Sequence, residues 1–295
     1  MLEKDLFFHP SSKILKACET GIIARLTNFL QLFLLLSICA VAAHAQGSSS
    51  KKEDEDLIKS SRPTIANPAE FQKPGILQIE YGYDGNFRAD EFRSQQSAPL
   101  TVRFAPVEHL LLDFNIDTVI SEKDEMELRE TGVGDTRLGV QFLALKDTEQ
   151  HPALAFAFYV KVPTASSEKN LGTGRTDYRV VALLSKKMGK TDIDFNGAYL
   201  NVGREFGDRR ASGGQAALSF SREFENNFGI VGEVAGQSED DGQPRGIFGL
   251  GAMTYKVNKR LQFDTGLRFG LNPGAPRVGC FAGFTVGVGS PFKKK

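Results

Sequence analysis

Seven charged residues fall inside runs that are otherwise apolar at every second position: Arg103, Asp135, Arg137, Lys161, Arg179, Asp264 and Arg268. In "LQFDTGLRFGL" the odd positions hold Leu261, Phe263, Thr265, Leu267, Phe269 and Leu271, and the even ones carry Asp264 and Arg268 between glycines. A strand has a period of two, so one face of this run is apolar and the other polar. Charges gathered on one face of a closed sheet have two uses. Paired across the interior they brace it; segregated by sign they set up a transverse field that orders a polar solute. These residues are the candidate solute contacts.

Other chemistries are less well supplied. The glycines of "GVGDTRLG" and "NLGTGRTD" lack the Gly-Lys-[Ser/Thr] of a phosphate-binding loop and open no helical pattern, so they read as turn and clearance glycines. A membrane-facing hydrolase needs a histidine beside a serine. Past the N-terminal segment only His109 and His151 remain, and both fall at expected short turns on the wrong rim. The acidic run around Asp240 and Asp241 lacks the ordered spacing of a calcium loop. No catalytic residue, metal site or cofactor is therefore predicted, and the protein is not read as an enzyme.

The elements that must position the charges are strands. From Ile76 onward about twelve period-two runs follow one another without helical patterns between them. Their connections alternate between long ("GNFRADEFRSQQSA", "ISEKDEMELRETGV", "PTASSEKNLGTGRT") and short ("PVE", "KDTEQH", "KMGKT"). That alternation belongs to an all-β, antiparallel transmembrane meander barrel, with external loops on one rim and tight periplasmic turns on the other. Lipid would face Leu77, Ile79, Tyr81 and Tyr83, with Leu138, Val140 and Phe142, while Gln78, Glu80, Asp113, Gln141 and Tyr159 would point inward. The runs "DYRVVALLSK" and "GIFGLGAMTYKV" do not phase clearly, the first because both its faces are apolar.

The rest of the chain fits export. Residues 1–45 read as a signal peptide, with an apolar run ending Ala43-His44-Ala45 and a true start placed downstream of Met1. Its removal discards Cys18 and Cys39 and leaves Cys280 alone, which excludes an intramolecular disulfide. Residues 46–75, polar and broken by prolines, read as a flexible periplasmic lead-in; 76–290 form the barrel and 291–295 a basic tail. With 36 basic and 36 acidic residues, the chain shows no bias toward nucleic acid. The expected partners are outer-membrane lipid, the barrel-assembly machinery and a small-molecule solute, and the oligomeric state stays open.

At "TGVGDTRLGVQFLAL" and "FYVKVPTASSEKNLGTGRTDYRVV" the chain resembles the outer-membrane proteins grouped under the meta pathway of phenol degradation. The residues that carry the likeness are Gly134, Asp135, Leu138 and Gly139; Lys161, Pro163 and Thr164; and Leu171, Gly172, Gly174, Thr176 and Asp177. The resemblance implies an outer-membrane barrel of transporter type. Together the two lines predict a channel or transporter in the cell outer membrane that passes small solutes, aromatic or otherwise hydrophobic ones among them, by diffusion. A closed structural or adhesive barrel acting through its loops is the alternative, and an outer-membrane hydrolase a more distant one. Twelve strands leave a narrow pore at most.

Overall fold

The computed structural model describes residues 57–89, 92–204, 209–239 and 245–289. The predicted signal peptide with Cys18 and Cys39, the acidic tip at Asp240 and Asp241, and the basic tail lie outside them.

Thirteen strands make up the described fold, and no helix accompanies them. They are β1 (Leu77–Phe87), β2 (Ser94–Val107), β3 (Leu110–Lys123), β4 (Arg129–Gly132), β5 (Thr136–Leu145), β6 (Ala153–Val162) and β7 (Asp177–Met188). After them come β8 (Thr191–Gly203), β9 (Arg210–Glu223), β10 (Phe228–Gln237), β11 (Gly246–Asn258), β12 (Leu261–Gly270) and β13 (Val278–Val288). Every neighbouring pair is antiparallel, and β1 pairs with β13 without a break from Leu77 opposite Val288 to Phe87 opposite Val278. With β2 also paired to β3, twelve strands close into a barrel, and β4 is a short hairpin extension of β3 above the wall. This is the predicted meander, with one loop folded into an extra strand.

The alternating pattern decides which way each residue faces. Leu112, Leu138, Phe142, Phe156, Val180, Phe195, Met253, Phe263 and Leu267 are exposed on the outside. Gln78, Glu80, Arg103, Gln141, Lys161, Asn196, Glu233 and Asp264 are buried on the inside. In water such an exterior would be an aggregation surface; in a bilayer it is the lipid belt. Pro99, which cannot donate to the ladder, sits at a register shift between β2 and β3.

The described part of the stretch 46–75, read from sequence as a flexible lead-in, is packed against the barrel wall. Residues 57–75 run inside the barrel, entering at the short-turn rim where the Leu57 N–H donates to the Lys259 carbonyl at 3.2 Å. The segment follows the inner wall past β1, β12, β10, β8, β7 and β5, returns so that the Lys73 N–H meets the Leu57 carbonyl at 3.4 Å, and turns into β1 at Gly75, whose φ of 80° a side chain would oppose. The physical reason is that its charge-poor core, "SRPTIANPAEF", offers small side chains and free backbone donors to a lumen lined with acceptors.

This segment explains the strand that would not phase. Ala69 packs with Leu143, Ala153, Ala155, Ala157, Tyr159, Val181 and Leu183 in a buried cluster. The inner face of β7 is apolar because it packs against a segment of its own chain. On the other side Ala66 joins Ala217, Ala235, Phe248 and Ala275.

Candidate functional site

The segment divides the lumen. On its long-loop side lies a cavity of about 1050 Å³. Its floor is Ser61, Arg62, Pro63, Thr64, Ile65 and Asn67, and its walls come from strand ends and loops all round the barrel.

Five of the seven predicted contacts line this chamber: Asp135, Arg137, Lys161, Arg179 and Arg268. Arg103 and Asp264 do not. Arg103 lies beneath the segment, 1% exposed, where it donates to the Lys59 carbonyl at 3.1 Å and faces Glu80 at 3.7 Å and Asp113 at 3.4 Å. Asp264 accepts two hydrogen bonds from Arg62, at 3.1 and 3.0 Å. Arg103 is thus paired within the wall, and Asp264 ties the segment to it.

The chamber charges are held firmly. Lys161 Nζ sits 3.2 Å from Asp135 and 2.5 Å from Asp177. Arg268 donates to both Asp84 oxygens, at 3.2 and 2.9 Å, and to Asn86 at 3.0 Å, with its guanidinium between the rings of Phe248 and Phe281. Arg137 stands in register between Asn115 and Lys161, and Arg179 between Tyr159 and Leu200. Bases on β5 to β7 therefore face the chamber beside an acidic arc, Asp84, Asp117 and Glu122, on β1 and β3.

Several of the residues that carry the family likeness, Gly134, Asp135, Thr164, Leu171, Gly172 and Asp177, hold the β6–β7 loop in place. Asp135 accepts the Ala165 N–H at 2.9 Å, and Asp177 accepts the Gly203 N–H at 2.7 Å. Thr164 Oγ1 accepts the Thr136 N–H at 2.8 Å and donates to the Gly134 carbonyl at 3.1 Å. Leu171 packs with Ile120 and Ala165, and a side chain at Gly172 would lie 2.9 Å from Asp135. The motif folds the β6–β7 loop down onto the chamber wall. No phosphate cradle is needed to account for its glycines.

Sequence reasoning missed Arg62, Glu80 as a partner of the segment, and Glu233. Arg62 lay in a stretch read as a linker; the signal against that reading was Ile58, Ile65 and Phe71 spaced among its prolines. Glu233, fully buried in the apolar run "FGIVGEVAGQ", accepts the Ile65 and Ala66 N–H groups at 2.8 and 2.7 Å. An isolated carboxylate in such a run calls for a partner from elsewhere. His109 and His151 lie between strands at the short-turn rim, as expected, and their rings contact the backbone carbonyls of Leu143 and Pro152. Among the described residues no group of three or more His, Cys, Asp or Glu is placed to hold a metal ion.

A closed antiparallel barrel with an apolar belt outside and buried charges inside defines an integral β-barrel of the outer-membrane type. Residues 60–287 match the family described as "Putative MetA-pathway of phenol degradation", and the chain belongs to that family. Among solved structures it is similar to the COG4313 outer membrane channel of Pseudomonas putida F1, with a TM-score of 0.56 at 13% identity over 81% of this chain and 100% of that one. It is also similar to the outer membrane phospholipase A of Escherichia coli (TM-score 0.43, 10% identity, 77% of this chain and 98% of that one). A third similar structure is Pseudomonas putida OprB (TM-score 0.33, 10% identity, 72% and 92%). No curated protein matches the sequence.

Proposed function

We propose that the protein is an outer-membrane channel for small solutes, with the chamber as its external vestibule. The observation that carries this is the chamber itself, a space of about 1050 Å³ lined by charged and amide side chains at the long-loop end of a sealed, lipid-belted wall. A barrel serving only as a scaffold has no use for such a space. The name of the channel from Pseudomonas putida F1 agrees with this reading.

The lining favours a solute that joins an apolar ring or chain to a polar group. Phe92, Ile120, Leu171 and Phe281 face the same space as Arg137, Lys161, Arg179 and Arg268. This is the feature that supports an aromatic cargo, with recognition of its polar end by the bases. Diffusion through a fixed chamber needs no cofactor.

The floor segment favours the rival reading of a closed structural barrel. Single-channel recording of the refolded chain in a planar bilayer separates the two. Openings, with a reversal potential under a salt gradient, support the channel; silence from a barrel shown to be folded by its heat-modifiable gel mobility supports the scaffold.

A further inference from the structure

The wall is complete without the segment 57–75. Twelve strands pair edge to edge around the barrel, and the segment adds no strand to them. Its backbone hydrogen bonds to the strands and turns lie at its ends, from Leu57 to Lys259 and from Gly75 to Ala105 (2.8 Å). Between those ends it is held by side chains of the wall. Glu80 accepts the Ser61 N–H at 3.0 Å, the Ser61 hydroxyl at 2.7 Å and the Arg62 N–H at 3.2 Å. Asp264 holds the Arg62 guanidinium, and Glu233 holds the N–H groups of Ile65 and Ala66. Further along, Asn196 accepts the Asn67 N–H at 2.7 Å and donates to its carbonyl at 2.9 Å, and Ser185 accepts the Ala69 N–H at 2.8 Å.

The wall beneath the segment is unusual for a permanent core. Gln78, Glu80, Arg103, Asn196, Glu233, Asp264 and Thr285 are all buried there. A core meant to stay dry is served as well or better by apolar side chains, because burying charges carries a desolvation cost. Side chains of this kind suit a surface that water reaches when the segment is away. The opposite arc is apolar, with Ala153, Ala155 and Ala157 packed with Ala69 beside Leu143, Val181 and Leu183.

We propose that residues 57–75 form a displaceable gate, latched to the wall by Glu80, Glu233 and Asp264, whose release joins the chamber to the short-turn rim. The proposal rests on the channel reading. Because Arg62 is both a latch and part of the chamber floor, a solute that draws its guanidinium away from Asp264 loosens the gate from the chamber side.

The test pins the segment in place. Ser60 Oγ and Thr285 Oγ1 are 2.6 Å apart, so Ser60→Cys with Thr285→Cys, in a Cys280→Ser background, places two thiols to bridge the segment to β13. The full chain is recorded in a bilayer oxidised and then reduced, alongside the latch variant Glu80→Gln, Glu233→Gln, Asp264→Asn. The expected result is that oxidation suppresses open time by roughly tenfold or more, that reductant restores it, and that the latch variant opens more than the parent, since hydrogen bonds to charged groups of this strength shift a two-state equilibrium by about that factor. Equal conductance in the oxidised and reduced forms overturns the gate and leaves the channel standing. Silence of the parent, the reduced form and the latch variant alike, in barrels shown to be folded, overturns the channel and the gate with it.

Discussion

The Arg62 guanidinium meets the Asp264 carboxylate through two hydrogen bonds, and it does so over a patch of wall where Gly82 and Gly283 stand opposite each other. A side chain built at Gly283 would lie 2.6 Å from two Arg62 nitrogens, and its three nearest atoms all belong to that guanidinium. At Gly82 the same construction also strikes the Ala282 carbonyl oxygen at 2.5 Å. The two glycines therefore separate segment attachment from wall integrity. Gly283→Ala should displace Arg62 and speed amide hydrogen exchange across residues 60–67 while β1 and β13 stay protected. Gly82→Ala should loosen both. Unchanged exchange at residues 60–67 in Gly283→Ala would show that Arg62 does not hold the segment.

Arg103 and the chamber bases should behave differently under the same substitution. Arg103→Ala leaves Glu80 and Asp113 buried without their cation, a change that typically costs ~3–5 kcal/mol. It should lower the denaturation midpoint strongly and leave the selectivity of surviving channels alone. Arg137→Ala and Arg179→Ala should do the reverse, moving the reversal potential toward cations while stability changes less, because both face the open chamber. A reversal potential that moves with Arg103 and not with these two would mean that the conduction path runs beneath the segment and avoids the chamber.

Much of the barrel could be read from residues because lipid on one side and a lumen on the other enforce a period of two, and Leu138, Val140 and Phe142 against Arg137 and Gln141 show it plainly. The order of long and short connections gave the topology for the same reason. The segment was hidden because its attachments are long in sequence: Ile65 to Glu233, Asn67 to Asn196 and Arg62 to Asp264 join residues with no local signature. Its polar, proline-broken composition matches a linker unless a lumen of acceptors is already known to exist. Asp264 was read as a solute contact for a related reason; the face it occupies was legible, but not the segment that covers it.

Gly139 supplies a packing test. A side chain there would lie 2.3 Å from the ring of Tyr159, which is buried in the cluster around Ala69. The ring is 7% exposed and has little room to retreat. Gly139→Ala should destabilise the barrel by ~1–3 kcal/mol, the usual range for overpacking, and Tyr159→Leu should restore part of that loss in the double variant. Equilibrium urea unfolding into lipid vesicles measures both; a double variant no more stable than Gly139→Ala would place the strain elsewhere.

The short-turn rim offers a titration. Burial acts to raise the Asp147 pKa, but the hydrogen bond from Lys186 Nζ (2.9 Å) and that from the Lys187 N–H (2.9 Å) outweigh it, so the carboxyl is held below its ordinary value. A carboxylate depressed in the folded state contributes stability that is fully present above its unfolded pKa, about 3.9, and that fades as pH falls through the lower folded value. The parent should therefore lose stability below about pH 4, and Asp147→Asn should lose less across the same window because it has no proton to gain. The Asp147 N–H also donates to Glu70 at 3.4 Å, near the end of the luminal segment. Parallel pH profiles for the parent and Asp147→Asn would remove Asp147 from this role.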